Sequence, residues 1–164
     1  MVRHACVAIT ALLLGTACTA PSPTLRADTQ AYLAKMAAWA PIEAETARTL
    51  DRIIATQFVD HAEVLRQLAD SSLRVQRHLA EVEQYHPRTP EVRRIHETYL
   101  DGWHSLLEGY ASIEAGLLGG DQASLSRGRK ALLQWRQSIV LVARMLGAIS
   151  NETNLAADSP PRRP

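Results

Sequence analysis

This sequence predicts an all-α fold: an up-down-up-down four-helix bundle behind an N-terminal signal peptide. Three observations predict it. Apolar residues recur three and four apart along four segments of similar length, as in helices that each bury one face. Helix start and stop signals fall between those segments, with short connections. Composition agrees, because glycine is scarce inside the chain, β-branched runs are few, and Phe58 is the one phenylalanine.

The first helix is expected over 25–56, on a stripe of Leu25, Thr29, Tyr32, Met36 and Trp39 that resumes as Thr46, Leu50 and Ile53. Pro41 interrupts it. Either a short helix ends at Ala40 and a second runs as far as Tyr85, or one helix continues through Pro41 and the chain turns near Phe58. Four equal segments favour the second arrangement, since a helix of more than about 40 residues would overhang its partners.

The second helix is expected over 60–86, on Val64, Leu68, Val75, Leu79 and Val82. Asp60-His61-Ala62-Glu63 reads as a capping box, and Val59 with Val64 as a hydrophobic staple. Pro87 stops this helix. Thr89 is the N-cap of the third, over 90–118, with Pro90 at its first position. Its stripe is Val92, Ile95, Tyr99, Trp103, Leu106, Tyr110, Ile113 and Leu117. Gly119-Gly120 closes that helix and Asp121 caps the fourth, over 121–150. The fourth stripe is Leu125, Leu132, Trp135, Ile139, Val142, Leu146 and Ile149. From Ser138 to Ile149 the segment is apolar nearly all round. Arg144 interrupts it and it is short of the roughly 20 residues that span a bilayer, so it reads as a buried helix or a contact between copies in a homo-oligomer. Residues 151–164 are polar and proline-rich and are expected to be a disordered tail.

The N-terminus reads as an export signal. Arg3 and His4 precede an apolar run from Ala5 to Leu14, and small residues follow it. Leu14-Gly15-Thr16-Ala17-Cys18 resembles the lipobox of bacterial lipoproteins, in which the cysteine is lipidated and becomes the first mature residue. The resemblance covers residues 1–18 only, and Gly15 stands where the family has a branched apolar residue. It implies a signal peptide over 1–17, a lipidated (palmitate-bearing) Cys18, and a short tether over 18–24. The partner it implies is a membrane, and Thr19 in place of Asp implies the outer membrane. Gly15-Thr16-Ala17 also fits ordinary signal peptidase, which would release a soluble product with a lone Cys18 thiol. No disulfide is available in either case, since Cys6 leaves with the peptide. From Thr19 to Pro23 the tether reaches less than about 20 Å, which holds the folded part near the lipid.

About 147 residues remain from Cys18 onward, the size of one domain. They carry 17 Lys and Arg, once Arg3 is removed, against 17 Asp and Glu. A net charge near zero argues against nucleic acid as a partner.

Common short motifs are missing: no second histidine follows His96-Glu97-Thr98-Tyr99, and there is no Cys-x-x-Cys-His, Gly-x-Ser-x-Gly or phosphate loop. No cofactor and no metal ligand set is expected. The site candidates are polar residues within apolar stripes. His61, His96 and Glu114 are placed on buried faces, and an antiparallel alignment about Pro87 sets His61 opposite Glu114. That pair reads as a pH-sensitive or metal-binding spot, or as an ion pair closing the bundle end. The same alignment sets Glu43 level with Ser72, Trp103 and Arg136, as a central polar layer: a ligand pocket walled by Trp103, or a device fixing register. Glu97, Asp101, His104 and Glu108 read as a solvated surface, and Trp39, Trp103 and Trp135 as core.

The expected function is that of a non-enzymatic, membrane-anchored helical-bundle lipoprotein in the bacterial envelope, structural or binding an envelope protein. The alternatives are a periplasmic bundle that binds a small ligand or metal, and an enzyme assembled from scattered residues.

Overall fold

The computed structural model describes residues 23–157, and the signal peptide, Cys18 and most of the tether lie outside them. Four helices follow in order: α1 (Pro23–Ala55), α2 (His61–Glu83), α3 (Pro90–Gly119) and α4 (Gln122–Ala157). There is no strand among the described residues.

Pro41 lies inside α1, so the single-helix arrangement is the one adopted. The chain instead reverses at Thr56–Asp60, where Gln57 and Phe58 take left-handed φ values of 49° and 61°. Non-glycine residues pay about 1–2 kcal/mol each for that conformation. The turn holds because the Phe58 ring is buried, with the Arg129 guanidinium 4.6 Å above it. This reversal also undoes the expected staple: Val64 is buried, but Val59 is 81% exposed because Phe58 takes the inward place. Asp60 caps α2 by accepting the Glu63 N–H at 3.1 Å, while the Glu63 side chain turns to Arg66 and Gln67 rather than back to the cap.

The other two turns follow the sequence. Gly120 has φ 65° and its N–H returns to the Gly116 carbonyl. Asp121 then accepts the Ala123 and Ser124 N–H groups at 2.9 and 3.2 Å. Thr89 is the N-cap residue of α3, but its hydroxyl makes no cap bond to the helix. It donates to Asp28 of α1, and the same carboxylate oxygen accepts the Arg88 and Thr89 backbone N–H groups, at 2.7–2.9 Å throughout. Asp28 is buried and fastens the start of α1 to the α2–α3 turn.

The antiparallel order is fixed by named pairs. Trp39 meets Glu81 and Glu45 meets Arg74 between α1 and α2. Ser71 meets Tyr110 and His78 meets Tyr99 between α2 and α3. Asp51 pairs with Arg136 between α1 and α4. The stripes read from the sequence supply the core, including Tyr32, Leu50, Ile53, Val64, Val75, Ile95, Trp103, Leu106, Ile113, Leu132 and Val142.

The α3–α4 contact is the closest in the fold, and it is built on glycine. Gly102, Gly109 and Gly116 recur every seven residues along α3. A Cβ at Gly102 would overlap the Ser138 hydroxyl, one at Gly109 would press on Ala131, and one at Gly116 would stand 2.7 Å from Leu125. Gly128 answers from α4, where a Cβ would lie 2.9 Å from the Gly109 carbonyl oxygen.

The tail departs from expectation. Residues 151–157 continue α4, Thr153 is buried, and its hydroxyl donates to the Ser150 carbonyl at 3.0 Å. Neither proline nor glycine occurs between Ala148 and Pro160 to stop the helix earlier. Residues 158–164 lie outside the described part. At the other end, Pro23 and Thr24 belong to α1 rather than to the tether. The apolar Ser138–Ile149 segment is an ordinary stretch of α4, and no helix among the described residues is long and apolar enough to cross a membrane.

Candidate functional site

The polar side chains that meet in the core come from α1, α2 and α3, near the end where the α2–α3 turn lies. Trp39 of α1 stacks on Tyr99 of α3, with centroids 5.6 Å apart and planes 10° from parallel. His78 of α2 packs edge-on against Trp103 at 4.6 Å, and Trp103 against Trp135 at 5.3 Å. Through this aromatic cluster runs a chain of hydrogen bonds. The Tyr99 hydroxyl donates to Glu43 Oε1 at 2.7 Å, and His78 Nε2 lies 3.2 Å from the same hydroxyl. Tyr99 has one proton and gives it to Glu43, so His78 must present Nε2–H to the phenol oxygen. Beside this chain, the Trp39 indole donates to Glu81 at 3.0 Å and the Tyr32 hydroxyl meets His96 Nδ1 at 3.3 Å.

Burial sets the protonation of these groups. Desolvation pushes the His78 imidazole down to about 4, against the pull of the Glu81 carboxylate. It lowers His96 as well, helped by the nearby His86. Desolvation raises Glu43 above the usual carboxylate range, although the Tyr99 hydrogen bond pulls it back. Tyr32 and Tyr99 are raised beyond any physiological pH, first by burial.

The two histidines make the fold acid-sensitive. Unfolded His78 takes its proton near pH 6.5 and folded His78 only near pH 4. Its contribution is therefore complete above about pH 6.5 and is lost as pH falls through that window. The loss is on the order of 1 kcal/mol per pH unit. Glu43, shifted the other way, favours folding as pH falls and offsets part of it. The melting temperature is expected to drop between pH 6.5 and 4, and His78→Gln, which keeps a donor for Tyr99, to flatten that drop. An equal slope in both proteins would place the acid sensitivity elsewhere.

The residues singled out in the sequence fare unequally. His96 is buried, as expected. His61 and Glu114 are both exposed and do not meet. His61 opens α2, and its side chain stays outside the core that Val64 enters one turn later. Glu114 lies on the side of α3 away from the glycine seam, at the rim of an α2–α3 surface groove beside Leu65 and Ser72. Glu43 and Arg136 line one groove between α1 and α4, of about 450 Å³, with Ala40, Ala44, Ala47 and Ile139 beside them and Val140 at its outer rim. They do not pair: Glu43 takes Tyr99, and Arg136 takes Asp51, two turns further along α1. Ser72 belongs to the α2–α3 groove, and Trp103 is sealed in the core instead of walling a pocket. Glu97, Asp101, His104 and Glu108 are exposed, with His104 3.4 Å from Glu83. Trp39, Trp103 and Trp135 are core.

Sequence reasoning missed His78 and Asp28. His78 carried a signal, since it stands three residues after Val75 and four before Val82. Asp28 carried none, because its partners are about 60 residues away.

In the Glu43–Tyr99–His78 chain each hydrogen points toward the groove, from His78 to Tyr99 and from Tyr99 to Glu43, which ties α2, α3 and α1 together. No group of three or more metal-binding side chains occurs among the described residues. No family model matches the chain, no curated protein matches its sequence, and no solved structure matches its fold.

Proposed function

We propose that this protein is a lipid-anchored helical bundle of the bacterial envelope that acts by binding rather than by catalysis. The observation that carries the proposal is where the polar groups between α1, α2 and α3 point: Glu43, Tyr99 and His78 bond in one chain, Tyr32 meets His96, and Trp39 reaches the exposed Glu81. They hold the helices in register, and the outer helix faces remain for contact. The lipobox-like Leu14–Cys18 segment supports the anchor, because Cys18 stands five residues before Pro23, where α1 begins. The ligand-binding alternative is left without its two polar pairs and rests on the open α1–α4 and α2–α3 grooves.

The test is cell fractionation of the wild-type protein and a Cys18→Ser variant. The wild type is expected in the membrane fraction and the variant to leave it or to accumulate unprocessed. Two equally soluble proteins would overturn the anchor. For the binding role, cross-linking in intact cells should give discrete adducts from surface positions on the helices.

A further inference from the structure

We propose that the outward face of α4 is a second membrane contact, which lays the bundle along an anionic bilayer. The charge of the molecule is divided between its helices. Residues 23–119 hold ten Lys and Arg against fourteen Asp and Glu, whereas α4 holds Arg127, Arg129, Lys130, Arg136 and Arg144 against Glu152 alone. The near-neutral total conceals this division.

On α4 the glycine seam faces α3, another side faces α1, and α2 lies across the bundle diagonal. The remaining side is unpartnered. At 100° per residue, Lys130, Leu133, Gln137, Val140, Leu141 and Arg144 fall within an arc of about 100°, over a length of about 20 Å. All six are exposed, and Leu133, Val140 and Leu141 are each about half accessible. Lys130 and Arg144 have no ion-pair partner among the described residues.

Cations interleaved with large aliphatic side chains, with no carboxylate between them, match a surface of anionic headgroups over hydrocarbon. The cations meet phosphates while the aliphatic groups enter the acyl boundary. A second copy of this chain fits poorly. Antiparallel pairing of two such faces about Gln137 would set Lys130 against Arg144, and parallel pairing would set each cation against itself. The inference deepens the reading of a bilayer-held bundle and rests on it, since the short tether from Cys18 is what keeps α4 beside lipid.

The test uses the chain from Thr19 onward, which contains every core residue and carries no acyl group. It is sedimented with phosphatidylcholine vesicles, with and without about 30% phosphatidylglycerol, at low and high salt. Binding is expected with the anionic vesicles at low salt and is expected to weaken at high salt. Lys130→Gln with Arg144→Gln should weaken it about 25-fold, at about fivefold per cation. Leu133→Ser with Val140→Ser should weaken it too, with helicity and melting unchanged in both variants. Equal sedimentation with both vesicle types, none with either, or no effect of the variants would overturn the proposal. So would capture of an acidic envelope protein by this face without vesicle binding. Because this chain lacks Cys18, a negative result leaves the anchor standing, and a failed anchor leaves the vesicle result standing.

Discussion

Gly128→Val is expected to destabilise the bundle by about 3 kcal/mol and to lower its melting temperature by about 10 °C. The cause is backbone approach between α3 and α4. A Cβ at Gly128 would stand 2.4 Å from Ile113 Cγ1, 2.9 Å from the Gly109 oxygen and 3.0 Å from the Ile113 nitrogen. Ile113 Cγ1 can rotate away, but the two backbone atoms cannot without moving α3. Relief comes only by parting the helices, which also opens the Gly102–Ser138 and Gly116–Leu125 contacts. Gly147→Ala is the matched comparison. Gly147 is also within α4, but nothing lies within 4 Å of its added Cβ. Removing a helix-interior glycine there should stabilise by up to about 1 kcal/mol. Thermal melts followed by circular dichroism decide both. If Gly128→Val melts with the wild type, α3 and α4 are not packed on their backbones.

That seam shows what the sequence withholds. The helix stripes were readable because apolar residues at three and four residue intervals leave few other burial patterns. The turns at Pro87–Pro90 and Gly119–Asp121 were readable because their chemistry is local. Gly102, Gly109 and Gly116 carried their own period of seven, but glycine has no hydropathy to mark a face, and scarcity hid the pattern. All eight residues of the α3 stripe are buried, and Glu114 lies past the edge of that face, at the rim of the α2–α3 groove. The His61–Glu114 pair fails for a second reason: His61 is the first residue of α2, and periodicity does not say how far inward a side chain in a first turn reaches.

The core site was half readable for a similar reason. Tyr32 and Tyr99 were counted as apolar for their rings, and their hydroxyls decide the network. Glu43 was correctly picked as a polar residue at the edge of a stripe. Its partner was not Arg136, because a carboxylate at that depth finds a tyrosine hydroxyl from α3 before a guanidinium that Asp51 already holds. Which polar groups meet depends on helix rotation to within a fraction of a turn, and periodicity does not resolve that.

Asp28→Ala is expected to cost about 3 kcal/mol, more than most single truncations of a polar side chain. One carboxylate oxygen accepts the Arg88 and Thr89 N–H groups and the Thr89 hydroxyl. A carboxylate at the start of α3 also meets the positive end of that helix. Removing it strands donors in a buried turn, at about 1–3 kcal/mol for each one that water cannot reach. Asp28→Asn keeps an acceptor and loses the charge, so it should cost roughly half as much. The damage should be local as well as global. The Arg88 and Thr89 amides should lose hydrogen-exchange protection in Asp28→Ala well before the Gly109 and Ile113 amides at the α3–α4 seam. Uniform loss of protection would mean that the start of α1 is held by its apolar stripe alone, and that the Asp28 contact adds nothing the core does not already supply.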